Sequence, residues 1–335
     1  MIICRTPFRI SYFGGGTDFP SWYNKNNGLV ISTTINKYCF LTLRTLPPIL
    51  NYNYRLRYFT NEHVNKISEI KHPSIKAVLK LFHTSNTGLE LIHNADLPAL
   101  SGLGASSAFT VSLINAIQSH NFQFSSKRFL AENAILIEQK KLKENVGSQD
   151  QFACAFGGFN IIEFNSNKIS LSPIIIGQDK IKILSDSTVL MFTEITRFAS
   201  NIEKDKLKNM NNNYKLYEEI YSIANQAKKI LYSNSKNFVA EIGKLLNENW
   251  RLKKELSSKV SNKKIDNMYT HAMNNGAIGG KLLGAGSGGF MMFITKNKKD
   301  KKKLISSFKN KNIIKFDFEY TGSQIIYNNS HDDYN

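Results

Sequence analysis

Cysteine is scarce in this 335-residue chain: Cys4, Cys39 and Cys154 are the only three, widely spaced and odd in number. That excludes a disulfide framework or a cysteine metal cluster and points to a reducing compartment. The seven histidines show no paired spacing of the kind metal ligands need. No apolar run is long enough to cross a bilayer, and Met1 to Pro7 lack the layout of a secretory signal. The chain therefore reads as cytoplasmic, without membrane insertion. Acidic residues are also few, 26 against 44 Lys and Arg, for a net charge of +18. Such a surplus suits nucleic acid, a membrane surface or small anionic substrates. Much of it lies in segments rich in Lys, Asn and Ile, and the densest run, Lys296 to Lys303, has no interleaved aromatic to stack on bases. We read that run as a solvated face and assign no nucleic-acid partner. The sequence assigns no oligomeric state.

What is present centres on Leu97-Pro98-Ala99-Leu100-Ser101-Gly102-Leu103-Gly104-Ala105-Ser106-Ser107-Ala108. A strand-like segment, Leu89 to Asn94, precedes it, and a helix-like one, Phe109 to Ile117, follows. Glycines, small residues and hydroxyls thus open into a helix N-terminus, whose free N–H groups suit a phosphate. A flexible turn before an ordinary core helix is the other reading of the same composition. Two known phosphate motifs do not fit. The nucleotide P-loop needs a Gly-Lys-Ser/Thr after its first glycine, and Gly102 has none. The dinucleotide fingerprint needs a third glycine where this chain has Ser107.

In chain order, Met1 to Ile10 predicts a first strand carrying Arg9 near its end. Gly14-Gly15-Gly16-Thr17-Asp18 follows. Consecutive glycines let a backbone approach a ligand, and Asp18 can accept hydrogen bonds from sugar hydroxyls or cap a turn. Gly28 to Leu46 alternates as strand or hairpin, Arg55 to Thr60 suggests a strand, and Pro73 to Phe82 a helix. A helix over about Ser126 to Lys143 carries Glu138. Asp150 falls between a glycine turn and a short apolar helix, either as an N-cap or as a positioned catalytic carboxylate. Phe159 to Phe164 and Lys168 to Leu171 predict a hairpin, and Thr188 to Thr193 a strand. From Ser200 to Asn275 long helices dominate: Tyr214 to Leu231, Phe238 to Leu256 and Lys264 to Asn274. The glycine-rich Gly279 to Gly289 then leads into a strand, Phe290 to Thr295. A lysine-rich helix near Lys299 to Lys309, a strand near Ile313 to Tyr320 and a loose tail from Gly322 complete the chain.

Three ordered stretches, Pro7 to Asp18, Pro98 to Ala108 and Lys281 to Gly289, resemble the motifs of the small-molecule kinase superfamily named for galactokinase, homoserine kinase, mevalonate kinase and phosphomevalonate kinase. Gly14-Gly15-Gly16-Thr17-Asp18-Phe19-Pro20, Gln149-Asp150-Gln151 and Phe156-Gly157-Gly158-Phe159-Asn160 are similar to its D-glycero-D-manno-heptose 7-phosphate kinase branch. The resemblance implies an α+β fold of two domains with the active site in the cleft between them. We place them at 1–185 and 186–325, with a tail at 326–335. It implies transfer of the ATP γ-phosphate to the anomeric O1 of the sugar phosphate, feeding a nucleotide-activated heptose for surface polysaccharide. A 1-kinase for an unphosphorylated, fucose-like sugar and a non-catalytic sugar/nucleotide-binding regulator are the alternatives.

The resemblance also carries roles to matching positions. Pro98 and Ser101 to Ser107 would bind ATP. Ser106 and Glu138 would hold Mg²⁺, with Ser107 the rival to Ser106. Asp150 would act as base beside the acceptor hydroxyl, and Arg9 would pair with it and neutralise the transferring phosphoryl group. Gly14, Gly15, Gly16, Thr17, Asp18, Gly284 and Gly286 would shape the acceptor site, and Arg197 would meet the 7-phosphate. The chain departs from the wider pattern in three places. Galactokinases carry Glu-His where Gly15-Gly16 stand here, which argues against galactose. Ala105 and Ser287 replace residues more often Ser and Gly. Glu138 lies one residue further from Asp150 than in mevalonate kinases.

Overall fold

The computed structural model describes residues 1–85, 87–196, 200–308 and 312–329. Arg197 lies outside the described residues. Strand β1 (Ile2–Phe13), a short helix α1 (Pro20–Tyr23) and β2 (Gly28–Thr45) come first. They are followed by β3 (Tyr54–Arg57), β4 (Asn61–Val64), α2 (Pro73–Phe82) and β5 (Leu89–Ala95). Helices α3 (Ala105–His120), α4 (Lys127–Ile135) and α5 (Gln149–Phe156) lead to β6 (Phe159–Phe164) and β7 (Ile169–Pro173). Beyond α6 (Gln178–Ser187) and β8 (Thr188–Phe192) lie α7 (Ser200–Lys208), α8 (Tyr214–Tyr232), α9 (Phe238–Glu255) and α10 (Lys263–Asn274). Strands β9 (Ala277–Leu282) and β10 (Phe290–Thr295), helix α11 (Lys298–Ser307), and β11 (Ile313–Ile314), β12 (Phe318–Glu319) and β13 (Gln324–Asn328) complete the described chain. No described helix is long and apolar enough to cross a membrane.

The strands form two sheets. The first runs β13-β1-β2-β5-β3-β4, with β12 and β6 also on β2 and β7 on β6. Strand β2 is the spine of this sheet. One edge pairs with β1 along nearly its whole length, and the other holds β6 through Gly28–Thr33 and β5 through Cys39–Thr45. All pairings are antiparallel except β3 with β5. The second sheet is antiparallel, β11-β8-β10-β9. Residue 185 lies in α6, between the last early strand of the first sheet and the first strand of the second. The C-terminal segment corrects two sequence expectations. The single strand expected near Ile313 to Tyr320 is two short strands in different sheets, β11 on β8 and β12 on β2. The expected tail instead supplies β13, paired with β1. Its apolar Ile325 packs on the core beside the chain's first strand.

Helix α3 is buried on nearly all sides, between α2, α4, α5 and the sheet, which explains its poor amphipathicity. Strand β1 runs to Phe13 rather than Ile10, so Arg9 sits inside it. A register shift between Pro7 and Phe8 lies two residues before Arg9. Pro7 has no N–H to give the ladder, and an interior strand accepts proline at such irregularities. The helix expected over Ser126 to Lys143 is α-helical only to Ile135 and turns π-helical over Leu136–Lys141. Widening one turn to i→i+5 bonding rotates the side chains that follow. Leu136 is left 40% exposed while the charged Glu138 is 1% exposed. The Lys296 to Lys303 run is a mostly solvated stretch, with Lys296, Lys298, Lys299, Lys302 and Lys303 exposed.

Candidate active site

The loop before α3 makes one wall of an open cavity. Gly104 stands at the N-cap of α3 with φ 74°, and no side chain caps the helix. The first-turn amides therefore face outward as unmet donors. Gly102 is held against the glycine loop that follows β9: a Cβ there would lie 2.6 Å from the Leu283 carbonyl oxygen. A Cβ on Gly284 would lie 2.6 Å from the Gly102 Cα. The Phe290 amide donates to the Ser101 carbonyl at 3.0 Å. The two glycine-rich motifs, far apart in sequence, are thus packed backbone to backbone.

Arg9 joins that wall to the next. Its Nε and Nη2 donate to Asp150 Oδ1 and Oδ2 at 2.7 and 2.6 Å, and its Nη1 donates to the Gly102 carbonyl at 2.6 Å. The backbone amide of Arg9 donates to the Leu103 carbonyl. The guanidinium is buried, whereas the Asp150 side chain keeps 24% exposure, towards the cavity that both residues line. Asp150 lies in the first turn of α5 and Ser148 takes the N-cap position, so the capping reading of Asp150 is wrong. The carboxylate is oriented by a bidentate fork, the strongest geometry available to such a pair.

The glycine turn after β1 forms the third wall. Gly15, Gly16 and Asp18 line the cavity, with Ser11 beneath them. Asp18 accepts from the Gly16 amide at 2.8 Å and from the Gln149 amide at 3.4 Å, bracing its own turn and the start of α5 together. Burial, then the nearby Asp150 charge, push its carboxyl above the ordinary range. Gly147 permits the contact, since a Cβ there would collide with Asp18 Oδ2. Gly14 and Thr17 do not reach the cavity: Gly14 packs on the Leu29 carbonyl, and the Thr17 hydroxyl donates to Gly14 and Leu29. Pro98 is an exposed residue ahead of the loop and Leu103 a core residue, and neither lines the cavity. Gly284 does line it, whereas Gly286 packs on Val260.

Glu138 lies behind the phosphate loop. Its Oε2 accepts from the Ser107 hydroxyl at 2.9 Å and from the Gln151 amide group. Its Oε1 is buried without a partner. Burial raises its pKa to about 7, against lowering by Gln151, Thr110 and Ser107. A buried carboxylate with an orphaned oxygen, beside a hydroxyl and facing the cavity, fits a hard divalent cation. The partner of Glu138 is Ser107; Ser106 lines the cavity but is exposed. No group of three or more His, Cys, Asp or Glu able to hold a metal occurs among the described residues.

Among the cavity residues to which sequence reasoning gave no role are three lysines, Lys206, Lys253 and Lys281. All are buried, and they stand on the second-sheet side of the cavity. Their signal was present. Lys206 lies one helical turn from the buried Ile202 on α7, and Lys253 on the face of Leu246, Asn249 and Trp250, all buried. A lysine on the buried stripe of an amphipathic helix needs a polar reason to be there.

Helix-start amides, a buried carboxylate with an unpartnered oxygen and a clamped carboxylate surround one cavity, an arrangement that phosphoryl transfer can use. Comparison with known proteins agrees. The family described as GHMP kinases N terminal domain matches residues 72–158, and GHMP kinases C terminal matches 226–314. The D-glycero-alpha-D-manno-heptose 7-phosphate kinase of Campylobacter jejuni is 33% identical over 95% of this chain and 96% of its own length. The bifunctional fucokinase/GDP-fucose pyrophosphorylase of Arabidopsis thaliana is 24% identical over 89% of this chain but 30% of its own. A solved D-glycero-D-manno-heptose 1-phosphate kinase from Bacteroides thetaiotaomicron superposes with TM-score 0.79 at 24% identity, covering 98% of this chain and all of that one. The chain belongs to the GHMP kinases and is a phosphotransferase with an alcohol group as acceptor.

Proposed function

We propose that this kinase transfers the γ-phosphoryl group of ATP to the anomeric O1 of D-glycero-D-manno-heptose 7-phosphate, giving the 1,7-bisphosphate and ADP. The observation that carries the reading is the Arg9–Asp150 fork, set between the α3 amides and the Gly15–Asp18 turn. The identity to the Campylobacter jejuni enzyme supports the choice of sugar.

Phosphoryl transfer is mostly positioning and charge neutralisation. The amides of Gly102 to Ser107 cradle the triphosphate. Ser107 and Glu138 would hold Mg²⁺, with Ser106 beside the phosphates, and the bound ion would supply neutralising positive charge there. Gly15, Gly16 and Asp18 take the sugar. Asp150 accepts the O1 proton as O1 bonds to the γ-phosphorus and the bond to ADP breaks; the proton then passes to solvent. Arg9 keeps the carboxylate aimed and its own charge close to the reacting centre. ATP as donor places this reaction in the cytoplasm, and its product suits a nucleotide-activated heptose for surface polysaccharide.

A second reading, a 1-kinase for an unphosphorylated sugar, is favoured by the fucokinase relative. ADP release measured with heptose 7-phosphate, the same heptose without phosphate, and fucose separates the two. Phosphorus NMR of the product locates the new ester. Turnover confined to the unphosphorylated sugars, or a product without an anomeric phosphate, defeats the first reading.

A further inference from the structure

The least compensated charge in the cavity belongs to its lysines. Lys253 Nζ donates to the Leu282 and Gly284 carbonyls at 2.7 and 2.6 Å. Lys206 Nζ donates to the Ala285 carbonyl at 2.6 Å and reaches Glu203 at 3.4 Å. Lys281 Nζ donates to the Tyr12 carbonyl at 2.9 Å. An ammonium has three donors, so these bonds leave four N–H groups unspent across the three side chains. Neither Lys253 nor Lys281 has an ion-pair partner among the described residues, and each is within electrostatic reach of Lys206 and of Arg9. Buried, unpaired ammonium groups are costly, and close like charges add to the cost. Burial, then the neighbouring positive charges, push both below the usual lysine range. A protein retains such a cluster where an anion completes it.

The cluster borders the acceptor wall. Lys281 bonds the carbonyl of Tyr12, just before the Gly14–Asp18 turn, and feels the Asp18 charge. The triphosphate already has the α3 amides, Arg9 and the Glu138 site. We infer that Lys206, Lys253 and Lys281 form the anion subsite that binds the acceptor's own phosphate, and so select a phosphorylated sugar over a free one. This rests on the reading of the acceptor as a sugar phosphate. A dianionic ester would take the four unspent N–H groups in charge-assisted bonds. The carbonyls of Leu282 and Gly284, of Ala285 and of Tyr12 fix the Lys253, Lys206 and Lys281 ammonium groups in place before the ligand arrives.

The test compares wild type with Lys206→Met, Lys253→Met and Lys281→Met, using heptose 7-phosphate and the same heptose lacking the phosphate. Each variant is expected to raise KM for the sugar phosphate by about tenfold or more. KM for ATP and kcat/KM for the free sugar are expected to stay within about threefold, and each Lys→Arg variant to recover part of the loss. Equal losses on both acceptors assign the lysines to the transferring phosphoryl group or to loop structure and overturn the inference. A separate arm follows thermal stabilisation of the nucleotide-free protein by inorganic phosphate. If wild type fails to turn over heptose 7-phosphate, yet phosphate stabilises it and the three methionine variants abolish that effect, the choice of sugar is wrong and the anion subsite stands. Stabilisation by phosphate that survives all three substitutions overturns the subsite.

Discussion

Two sets of charges line this cavity, and they are built on opposite principles. Arg9 and Asp150 are matched, each satisfying the other through two short bonds, and the pair is complete without a ligand. Lys253 and Lys281 have no ion-pair partner among the described residues and Lys206 has only Glu203 at 3.4 Å, so the three are met mainly by backbone carbonyls. A matched pair holds geometry, which chemistry requires. An unmatched cluster holds potential, which binding requires. Glu138 repeats the second principle with the opposite sign, its Oε1 buried without a partner.

The comparison breaks first at the matched pair. Asp150→Asn keeps the shape, removes the proton acceptor and is expected to lower kcat by about 10²–10⁴-fold while ATP affinity survives. An active Asp150→Asn enzyme removes the base from the mechanism. Arg9→Lys retains charge but loses the fork, and a fall in kcat of about a hundredfold is expected with little change in KM for ATP. At the unmatched acid, Glu138→Gln is expected to raise the Mg²⁺ concentration for half-maximal activity by about tenfold or more, read from a metal titration. Unchanged metal dependence assigns the ion elsewhere.

Smaller effects sharpen the contrast. Gly102→Ala places a side chain at φ +79° and against the Leu283 carbonyl. A stability loss of about 1–3 kcal/mol is expected, visible as a lower denaturant midpoint. Lys281 acts in the other direction. Burial, then Arg9 and Lys206, lower its pKa from 10.5 to about 7. Between those values the unfolded chain binds more protons than the native one, so this residue makes stability rise with pH across that window. Below pH 7 both states are protonated and the full cost remains. Lys281→Met is therefore expected to raise the unfolding midpoint of the ligand-free protein at pH 7, with the gain fading towards pH 10.5. A variant less stable than wild type at pH 7 gives Lys281 a structural role through Tyr12.

The pairing of Arg9 with Asp150 followed from the family resemblance rather than from the residues alone, whereas the glycine loop opening into α3 was legible because glycine runs are local signals. The longer helices followed from apolar spacing, and Pro73–Phe82 matches its observed bounds, whereas α1 and α6 were not expected. The lysines were hidden by abundance. In a chain of net charge +18 lysine reads as solvated surface, and Lys206, Lys253 and Lys281 meet only through tertiary packing. The choice between Ser106 and Ser107 depended on the rotation of α3 and on a π-helical turn at Glu138, neither of which spacing reveals. The return of β13 to the first strand escaped notice because a short polar–apolar segment at a chain end carries little pattern of its own.

The most direct test is a crystal structure with a non-hydrolysable ATP analogue and Mg²⁺. The account predicts the triphosphate on the amides of Gly102 to Ser107, the ion at Glu138 and the terminal phosphate facing Asp150. A triphosphate seated on the lysine cluster instead, with the α3 amides bare, would contradict it.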